Sequence, residues 1–470
     1  MCGVFGVYLN EEETDIAFSK LSTFTYLGIY ALQHRGQESA GICSYYNGDI
    51  IRVANKGLVL DAISKDDLKN IKGKVGIAHV RYSTTGDSST QNIQPITRDS
   101  KRFGKIAVVH NGNLTNYRSL KTFLNSNNIK LQCSSDTEVF LGLLDVVEKD
   151  NSIDPHVSDE EILPYLVSAL KMIEGAYSIL MIVKGRLIAA RDPLGFRPLL
   201  MGRRKGINGS DAIVFASESC AFDIIEADYW REIKPGEITI VDENGIRTYF
   251  FSKSQETKKC IFEFVYFSRP DSFVFSEYPY NVRKNMGIEL AKEDETTPDI
   301  VIPVPDSGIP AAIGYSQYKN IPYEMGLTRN HYVGRTFIAP SQDIRNLSVL
   351  MKLNPNRGVI KGKSILVIDD SIVRGTTSKR IVTLLKEAGA REVHMRIASP
   401  PVIGPCYYGI DTPTKEELMA SHMSVEDIRK FIGADTLQYL SLEGLKRSVQ
   451  DPDSFCDACF TERYPVLYEG

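Results

Sequence analysis

Ile365-Leu366-Val367-Ile368-Asp369-Asp370-Ser371-Ile372-Val373-Arg374-Gly375-Thr376-Thr377-Ser378 sets the fold of the second half of the chain and, through it, the organisation of the whole. Four consecutive apolar residues read as a strand covered on both faces, and two adjacent acids mark its carboxyl end. A loop rich in hydroxyls, with one glycine, then runs into a helical pattern beginning at Lys379. Backbone N–H groups at such a junction favour a phosphate, and Thr376, Thr377 and Ser378 add donors. Asp369 and Asp370 repel phosphate themselves; they suit ribose hydroxyls and a Mg²⁺ shell.

Outward from that strand, Asp299 to Val304 is a second parallel-type run followed by a loop and a helical pattern, so a doubly wound α/β domain is expected. The first half reads as short apolar strands between polar turns: Gly3 to Leu9, Ala40 to Tyr46, Val75 to Arg81, Lys105 to His110, Ala176 to Lys184 and Arg186 to Arg191. With a few helices, such as Asp15 to Ala31 and Asp136 to Lys149, this predicts a layered α+β domain. The polar segment Lys253 to Lys259 reads as a linker, placing a boundary near residue 252 and giving domains of residues 2–252 and 253–470.

A chain of 470 residues exceeds one ordinary core, in keeping with two domains. With 55 basic and 59 acidic residues and no long run of Lys and Arg, neither a nucleic-acid nor a membrane surface is expected. The apolar stretch Val167 to Val183 is interrupted by Lys171, Glu174 and Gly175, a poor match to a membrane span. Glu11, Glu12 and Glu13 follow no basic patch or apolar run, which argues against a secretory signal. The expectation is a cytoplasmic protein acting on small molecules. In a reducing compartment its eight cysteines point to catalysis, metal binding or packing before disulfides.

The chain begins Met1-Cys2-Gly3. Once Met1 is removed, Cys2 carries a thiol beside its own α-amine; these groups titrate near roughly 8.5 and roughly 8, so nucleophile and base share one residue. By position alone, Cys2 also reads as a small apolar residue in a first strand. Gln33-His34-Arg35-Gly36-Gln37-Glu38-Ser39, His79-Val80-Arg81-Tyr82-Ser83-Thr84, His110-Asn111-Gly112-Asn113-Leu114 and Ser135-Asp136-Thr137-Glu138, with the leading Cys2, decide between the two. Together they resemble the glutaminase domain of the N-terminal-nucleophile amidotransferases, an αββα sandwich. The resemblance makes Cys2 the nucleophile. It makes the Asn111 side-chain amide and the Gly112 N–H the oxyanion donors, and assigns Arg35, Arg81 and Asp136 to glutamine. The chemistry agrees: a tetrahedral oxyanion needs fixed donors, a planar guanidinium suits the α-carboxylate, and a carboxylate suits the α-ammonium. Taken singly, Arg35 and Arg81 also read as ordinary surface or interdomain salt-bridge residues, Asn111-Gly112 as a type I′ hairpin turn, and Asp136 as a helix N-cap.

The second half resembles the type I phosphoribosyltransferases, which bind phosphoribosyl pyrophosphate with Mg²⁺. Asp369, Asp370, Ser371, Arg374, Gly375, Thr376, Thr377 and Ser378 carry its signature. Val304-Pro305-Asp306-Ser307-Gly308 resembles the pyrophosphate loop, with Ser307 near the metal. Leu327 to Pro340 resembles the mobile flag, whose Arg335 neutralises pyrophosphate. Tyr266 to Ser272 also resembles amidotransferase sequence. Lys352 joins the substrate site, whereas Leu350 stands where relatives usually have Arg. Gly362-Lys363-Ser364 looks like the end of a Walker A loop, but Arg357 occupies the upstream glycine position and a strand follows.

Cys260, Cys406, Cys456 and Cys459 form a C-x-x-C pair plus two distant cysteines, a spacing open to zinc, a four-iron cluster or free thiols. Their contexts resemble the iron–sulfur branch of the phosphoribosylpyrophosphate amidotransferase family, which implies a structural [4Fe-4S] cluster. Cys43, Cys133 and Cys220 read as packing residues. That branch often has a short propeptide; with Met1 alone before Cys2, methionine removal suffices. The two halves together imply ammonia transfer from glutamine to phosphoribosyl pyrophosphate at the head of purine synthesis, in a homotetramer inhibited by purine nucleotides. The alternatives are an N-terminal-nucleophile amidotransferase with another acceptor, which would lack the Asp369-Asp370 signature, and a non-catalytic phosphoribosyl-pyrophosphate-sensing regulator, which would not need Cys2 and a glutamine pocket.

Overall fold

The computed structural model describes residues 2–11, 19–82, 89–150, 161–206, 209–252, 256–330, 353–412 and 414–469. The first half runs through β1 (Gly3–Leu9), β2 (Ser39–Tyr46), β3 (Asp49–Lys56), β4 (Val75–Arg81), β5 (Ile96–Ser100), β6 (Gly104–Leu114) and β7 (Gly175–Val183). It continues through β8 (Arg186–Arg191), β9 (Leu200–Gly206), β10 (Gly209–Ala216), β11 (Ala227–Glu232), β12 (Glu237–Asp242) and β13 (Gly245–Phe250). One antiparallel sheet is ordered β11-β9-β10-β1-β4-β2-β3, the other β13-β12-β8-β7-β6-β5.

Alternation along the strands explains why the sheets stack. Val4 and Tyr8 of β1 meet Leu180 and Ile182 of β7 and Leu187 and Ala189 of β8 between the sheets. Phe5, Val7 and Leu9 turn the other way, onto the helix Lys20–Ala31. The opposite outer face, formed by Ile106, Val108, Ile179 and Met181, is covered by helices Asp136–Val146 and Leu163–Met172. Both faces of each sheet are therefore apolar, which is why the strands read as unbroken runs. The result is the expected αββα sandwich. Ser19 caps the first helix, its Oγ accepting from the Ser22 N–H at 3.1 Å; the predicted start near Asp15 lies outside the described residues. The helix from Asp136 stops at Val146 rather than Lys149.

The second half contains β14 (Lys259–Cys260), β15 (Ile300–Pro303), β16 (Leu327–Arg329), β17 (Leu353–Pro355), β18 (Ser364–Asp369), β19 (Glu392–Ile397), β20 (Thr436–Tyr439) and β21 (Phe455–Cys456). A parallel sheet is ordered β15-β18-β19-β20. Val301, Leu366 and Ile368 face helices Pro279–Lys292 and Ile309–Lys319, whereas Ile300, Ile302, Ile365 and Val367 face the layer containing helix Thr376–Glu387. That two-sided covering is the doubly wound α/β architecture. The expected linker ends sooner than predicted: Lys258 N donates to Leu194 O at 2.8 Å and Cys260 N to Phe196 O at 3.0 Å, because burying Cys260 docks this segment on the first half.

One buried ion pair stiffens the parallel sheet. Arg396 on β19 donates through Nε and NH2 to the two carboxylate oxygens of Asp294, at 2.6 and 3.0 Å, and the Tyr315 hydroxyl donates to the same carboxylate at 2.6 Å. Burial alone would raise the Asp294 carboxyl, but Arg396 and Tyr315 draw it down to about 2. Since the folded value lies below the unfolded one of roughly 3.9, this stabilisation is present above pH ~4 and is lost as pH falls toward 2. Arg396→Met is expected to cost about 3–5 kcal/mol, because it strands a buried charge. Asp294→Asn should flatten the acid limb of stability; urea unfolding across pH measures both.

Candidate active sites

Cys2 sits at the head of β1, in the interior of its sheet, and is 7% exposed. Gly3 pairs with Val80 of β4, so the antiparallel register brings Cys2 level with Arg81. The Cys2 backbone nitrogen donates to Asn111 Oδ1 at 3.3 Å, and its Sγ lies 3.6 Å from the Tyr82 carbonyl oxygen. Asn111 and Gly112 are not a hairpin turn: they lie within β6, opposite Ser178 and Tyr177 of β7. Gly112 has φ +152°, and a β-carbon there would fall 1.9 Å from the Ala176 carbonyl oxygen, so no other residue fits without moving β7. Asn111 is fully buried, and its Nδ2 has no hydrogen-bond partner among the described residues. A buried amide donor left unpaired costs about 1–3 kcal/mol, and an oxyanion formed on a Cys2-bound carbonyl would satisfy it.

Asp136 is the first residue of its helix; the N-cap is Ser135, whose Oγ accepts from Thr137 N at 3.3 Å. The Asp136 carboxylate accepts from Leu114 N at 3.0 Å, which ties it to the end of the strand that holds Asn111. Burial works to raise this carboxyl, but His110 and the Leu114 and Thr137 N–H groups outweigh it and keep the group below the usual range. It is thus a buried anion suited to an ammonium. Arg81 is also buried, at the end of β4, immediately before residues 83–88, which lie outside the described set.

Arg35 takes a different place from the one expected. Its guanidinium is fully buried and faces Glu218 of the first half and Glu263 of the second, with NH2 2.8 Å from Glu263 Oε1. Its Nε donates to the Cys2 carbonyl oxygen at 3.0 Å. Arg197 reaches the same Glu263 at 3.2 Å. These two carboxyls stay ionised although burial opposes it, because the arginines, with His34 at Glu218, hold them below their ordinary range. Arg35 therefore anchors the Cys2 backbone to the domain junction, with its guanidinium engaged by Glu218 and Glu263. Of its two sequence readings, the salt-bridge one describes it.

At the carboxyl ends of β15 and β18 lies a cavity of about 660 Å³, lined by Asp306, Ser307, Asp369, Asp370 and the whole run from Ser371 to Ser378. The helix starts at Thr376, three residues before the predicted Lys379, with Gly375 at φ +70° as its N-cap. The earlier start improves the phosphate site: the N–H groups of Thr376, Thr377 and Ser378 belong to the first turn, where an α-helix has no internal acceptors for them. Burial, then the neighbouring Asp370, pushes the Asp369 carboxyl well above its ordinary value. Such an acid pair invites a cation or ribose hydroxyls. Asp370 accepts from the Ser371 hydroxyl at 2.6 Å. Arg374 lies 3.3 Å from Glu417, and Asp306 pairs with Arg329. Arg335, Lys352 and Leu350 lie outside the described residues, as does the flag beyond Asn330.

Sequence reasoning missed His34, Arg283 and Arg329, all of which line this cavity. Arg283 is buried and fixes the preceding segment, donating to the Phe264 and Ser268 carbonyls at 2.7 and 2.8 Å. It falls in the middle of a mixed polar helix, and no local pattern singled it out. His34 adjoined Arg35 in a quoted motif, which was the available signal.

Cys260, Cys406, Cys456 and Cys459 line one small cavity with Arg197, Phe196 and Tyr408. Cys260 and Cys456 face each other as register partners in the parallel pair β14–β21. Burial pushes the Cys456 and Cys459 thiols up, and raises Cys260 to about 11 against the pull of Arg197. Among the described residues, no group of three or more His, Cys, Asp or Glu is placed to hold a metal ion. Cys43 and Cys220 are buried and Cys133 half-buried, with burial pushing each thiol up to about 12. Among the described residues no helix is long and apolar enough to cross a membrane.

Comparison with known proteins matches each half of the chain to a domain family. A glutamine amidotransferase domain model matches residues 79–223, and a phosphoribosyl transferase domain model matches residues 280–398. The chain is 48% identical to the chloroplastic amidophosphoribosyltransferase 1 of Arabidopsis thaliana over 99% of its own length and 78% of the relative's. It is 45% identical to the Bacillus subtilis amidophosphoribosyltransferase, over 99% and 94% of the two chains. The chain belongs to the amidophosphoribosyltransferase family. Amidophosphoribosyltransferases are glutamine-dependent pentosyltransferases that open purine biosynthesis, and the two sites divide that work between the halves. The solved B. subtilis glutamine phosphoribosylpyrophosphate amidotransferase, complexed with ADP and GMP, superposes with TM-score 0.87 at 44% identity, covering 99% of this chain and 98% of that one.

Proposed function

We propose that Cys2 frees ammonia from glutamine and that the cavity around Asp369 and Asp370 transfers it to the anomeric carbon of phosphoribosyl pyrophosphate, yielding 5-phosphoribosylamine, glutamate and pyrophosphate. The observation that carries the first step is the unpaired, buried Nδ2 of Asn111 on the residue whose Oδ1 accepts from the Cys2 nitrogen. With Met1 removed, the terminal amine takes the thiol proton and the sulfur attacks the amide carbonyl. Asn111 Nδ2 and the Gly112 N–H stabilise the oxyanion, the C–N bond breaks, and ammonia leaves a γ-glutamyl thioester. Water then cleaves the thioester to glutamate. Arg81 binds the α-carboxylate and Asp136 the α-ammonium.

In the second site the first-turn N–H groups of Thr376, Thr377 and Ser378 hold the 5-phosphate, with Ser371, Arg374 and Gly375 shaping the loop. Asp369 and Asp370 orient the ribose. Asp306, Ser307 and Arg335 serve the pyrophosphate, joined by Lys352. Ser307, Asp369 and Asp370 would hold Mg²⁺, which supplies charge neutralisation for the leaving pyrophosphate. The four clustered cysteines would hold a [4Fe-4S] cluster with a structural role. Four thiols gathered around one shared cavity support this reading. Ammonia passes between the sites when the flag closes. Purine nucleotides inhibit, a reading supported by the ADP and GMP in the related structure; the protein works as a cytoplasmic homotetramer.

Glutamine, phosphoribosyl pyrophosphate and Mg²⁺ together should yield glutamate and pyrophosphate in equal amounts. If an intact, anaerobically prepared sample forms neither, the chain is a phosphoribosyl-binding regulator instead. Asn111→Ala is expected to lower glutamine-dependent kcat by about 100-fold, equivalent to roughly 2.7 kcal/mol of transition-state stabilisation. Ammonia-dependent synthesis, followed by pyrophosphate release, should change little.

A further inference from the structure

We infer that the segment Cys406 to Thr412 of the phosphoribosyltransferase half positions the oxyanion hole of the glutaminase half, with Gly409 as the residue that sets Gly112. A β-carbon placed on Gly409 would lie 2.8 Å from the Gly112 carbonyl carbon and 2.9 Å from its Cα, so the two backbones touch with no side chain between them. Gly409 has φ +99°, a conformation that L side chains rarely adopt. The next residue of β6 is tied to the same segment, Asn113 Nδ2 donating to the Tyr407 carbonyl oxygen at 2.9 Å. One backbone contact and one hydrogen bond thus hold Gly112 and Asn113 from behind.

The segment is itself held rigidly. Fully buried Arg197 donates through Nε to the Tyr408 carbonyl oxygen at 2.8 Å, and the Tyr408 ring stacks on Phe196 with centroids 4.3 Å apart. Tyr408 packs in one apolar cluster with Ala176, whose carbonyl oxygen limits Gly112 from the β7 side. Cys406 N donates to Thr412 Oγ1 at 2.6 Å, closing the segment on itself. Gly112 is therefore gripped between β7 and a loop that begins at one of the four clustered cysteines. An oxyanion donor displaced by a fraction of an ångström loses much of its effect, since the hole works by preorganisation. Gly409 touches neither substrate and acts only through Gly112; it is a positioning residue.

This inference rests on the oxyanion role given above to Asn111 and Gly112, and the test separates the two. The probe is L-glutamate γ-semialdehyde, whose aldehyde adds the Cys2 thiol to give a tetrahedral thiohemiacetal that occupies the oxyanion hole. Gly409→Ala is expected to weaken its inhibition of glutaminase by about tenfold and to lower glutamine-dependent kcat by a similar factor. Alkylation of Cys2 by iodoacetamide, which needs no oxyanion hole, should proceed within about twofold of the unmodified protein. Asn113→Ala, which removes the hydrogen bond to Tyr407, should show the same pattern at smaller amplitude even if Gly409→Ala folds poorly. Unchanged semialdehyde inhibition in Gly409→Ala and Asn113→Ala, alongside weakened inhibition in Asn111→Ala, would overturn the inference alone. Unchanged inhibition in Asn111→Ala as well would overturn the oxyanion assignment itself. A parallel loss of semialdehyde binding and iodoacetamide reactivity would mean general disruption of the site, and would also overturn it.

Discussion

Cys2→Ala is expected to abolish glutamine-supported synthesis, by a factor of about 10⁴ or more, and to leave ammonia-supported synthesis close to that of the unmodified protein. The asymmetry follows from the geometry. Cys2 offers a backbone nitrogen to Asn111 and a backbone carbonyl to Arg35, which alanine keeps, and a sulfur for the substrate, which alanine removes with its contact to the Tyr82 carbonyl. The anchoring of β1 at the domain junction therefore survives, and the cavity at Asp369 and Asp370 is untouched. The decisive measurement is pyrophosphate release with glutamine or with ammonium chloride at alkaline pH, on the same preparation. Glutamate formation that persists in the variant would remove Cys2 from the mechanism, as would full competence of a protein that still carries Met1.

Cys456→Ser should eliminate iron, acid-labile sulfide and brown colour together. A serine oxygen is a poor replacement for a thiolate on a soft metal centre, and Cys456 faces Cys260 directly across the β14–β21 pair. Losing one ligand should also loosen the end of the chain, because Phe455 packs against Phe264 and Phe275, and Cys459 O accepts from the Ile403 and Gly404 N–H groups. Limited proteolysis of the carboxyl-terminal segment provides the second readout. Stoichiometric zinc in the unmodified protein would contradict the cluster.

How far the sequence disclosed this arrangement varied with how local the cause was. β1, β4 and β8 were predicted to the residue, because two-sided burial makes each an apolar run with polar ends. The acid pair and phosphate loop were legible for the same reason: strand end, glycine turn and first helical turn are contiguous. The helix start at Thr376 was misjudged because three hydroxyl residues look like loop until Gly375 is seen to adopt φ +70° and cap the helix. Arg35 reads as a glutamine residue through the motif resemblance alone; its partners Glu218 and Glu263 are about 180 and 230 positions away, and no spacing rule reaches that far. Gly409 gave no signal either. A glycine in a Tyr-Tyr-Gly turn is ordinary until another chain segment is found against it.

The β14–β21 pair has a consequence for biogenesis. Its strands lie about two hundred positions apart, so Phe455–Cys456 is synthesised long after its partner strand. The glutaminase sheets can close during translation, whereas the thiol nest waits until Cys456 and Cys459 have been made. A product truncated before Cys456 therefore retains Cys2 and its sheets but never assembles the nest.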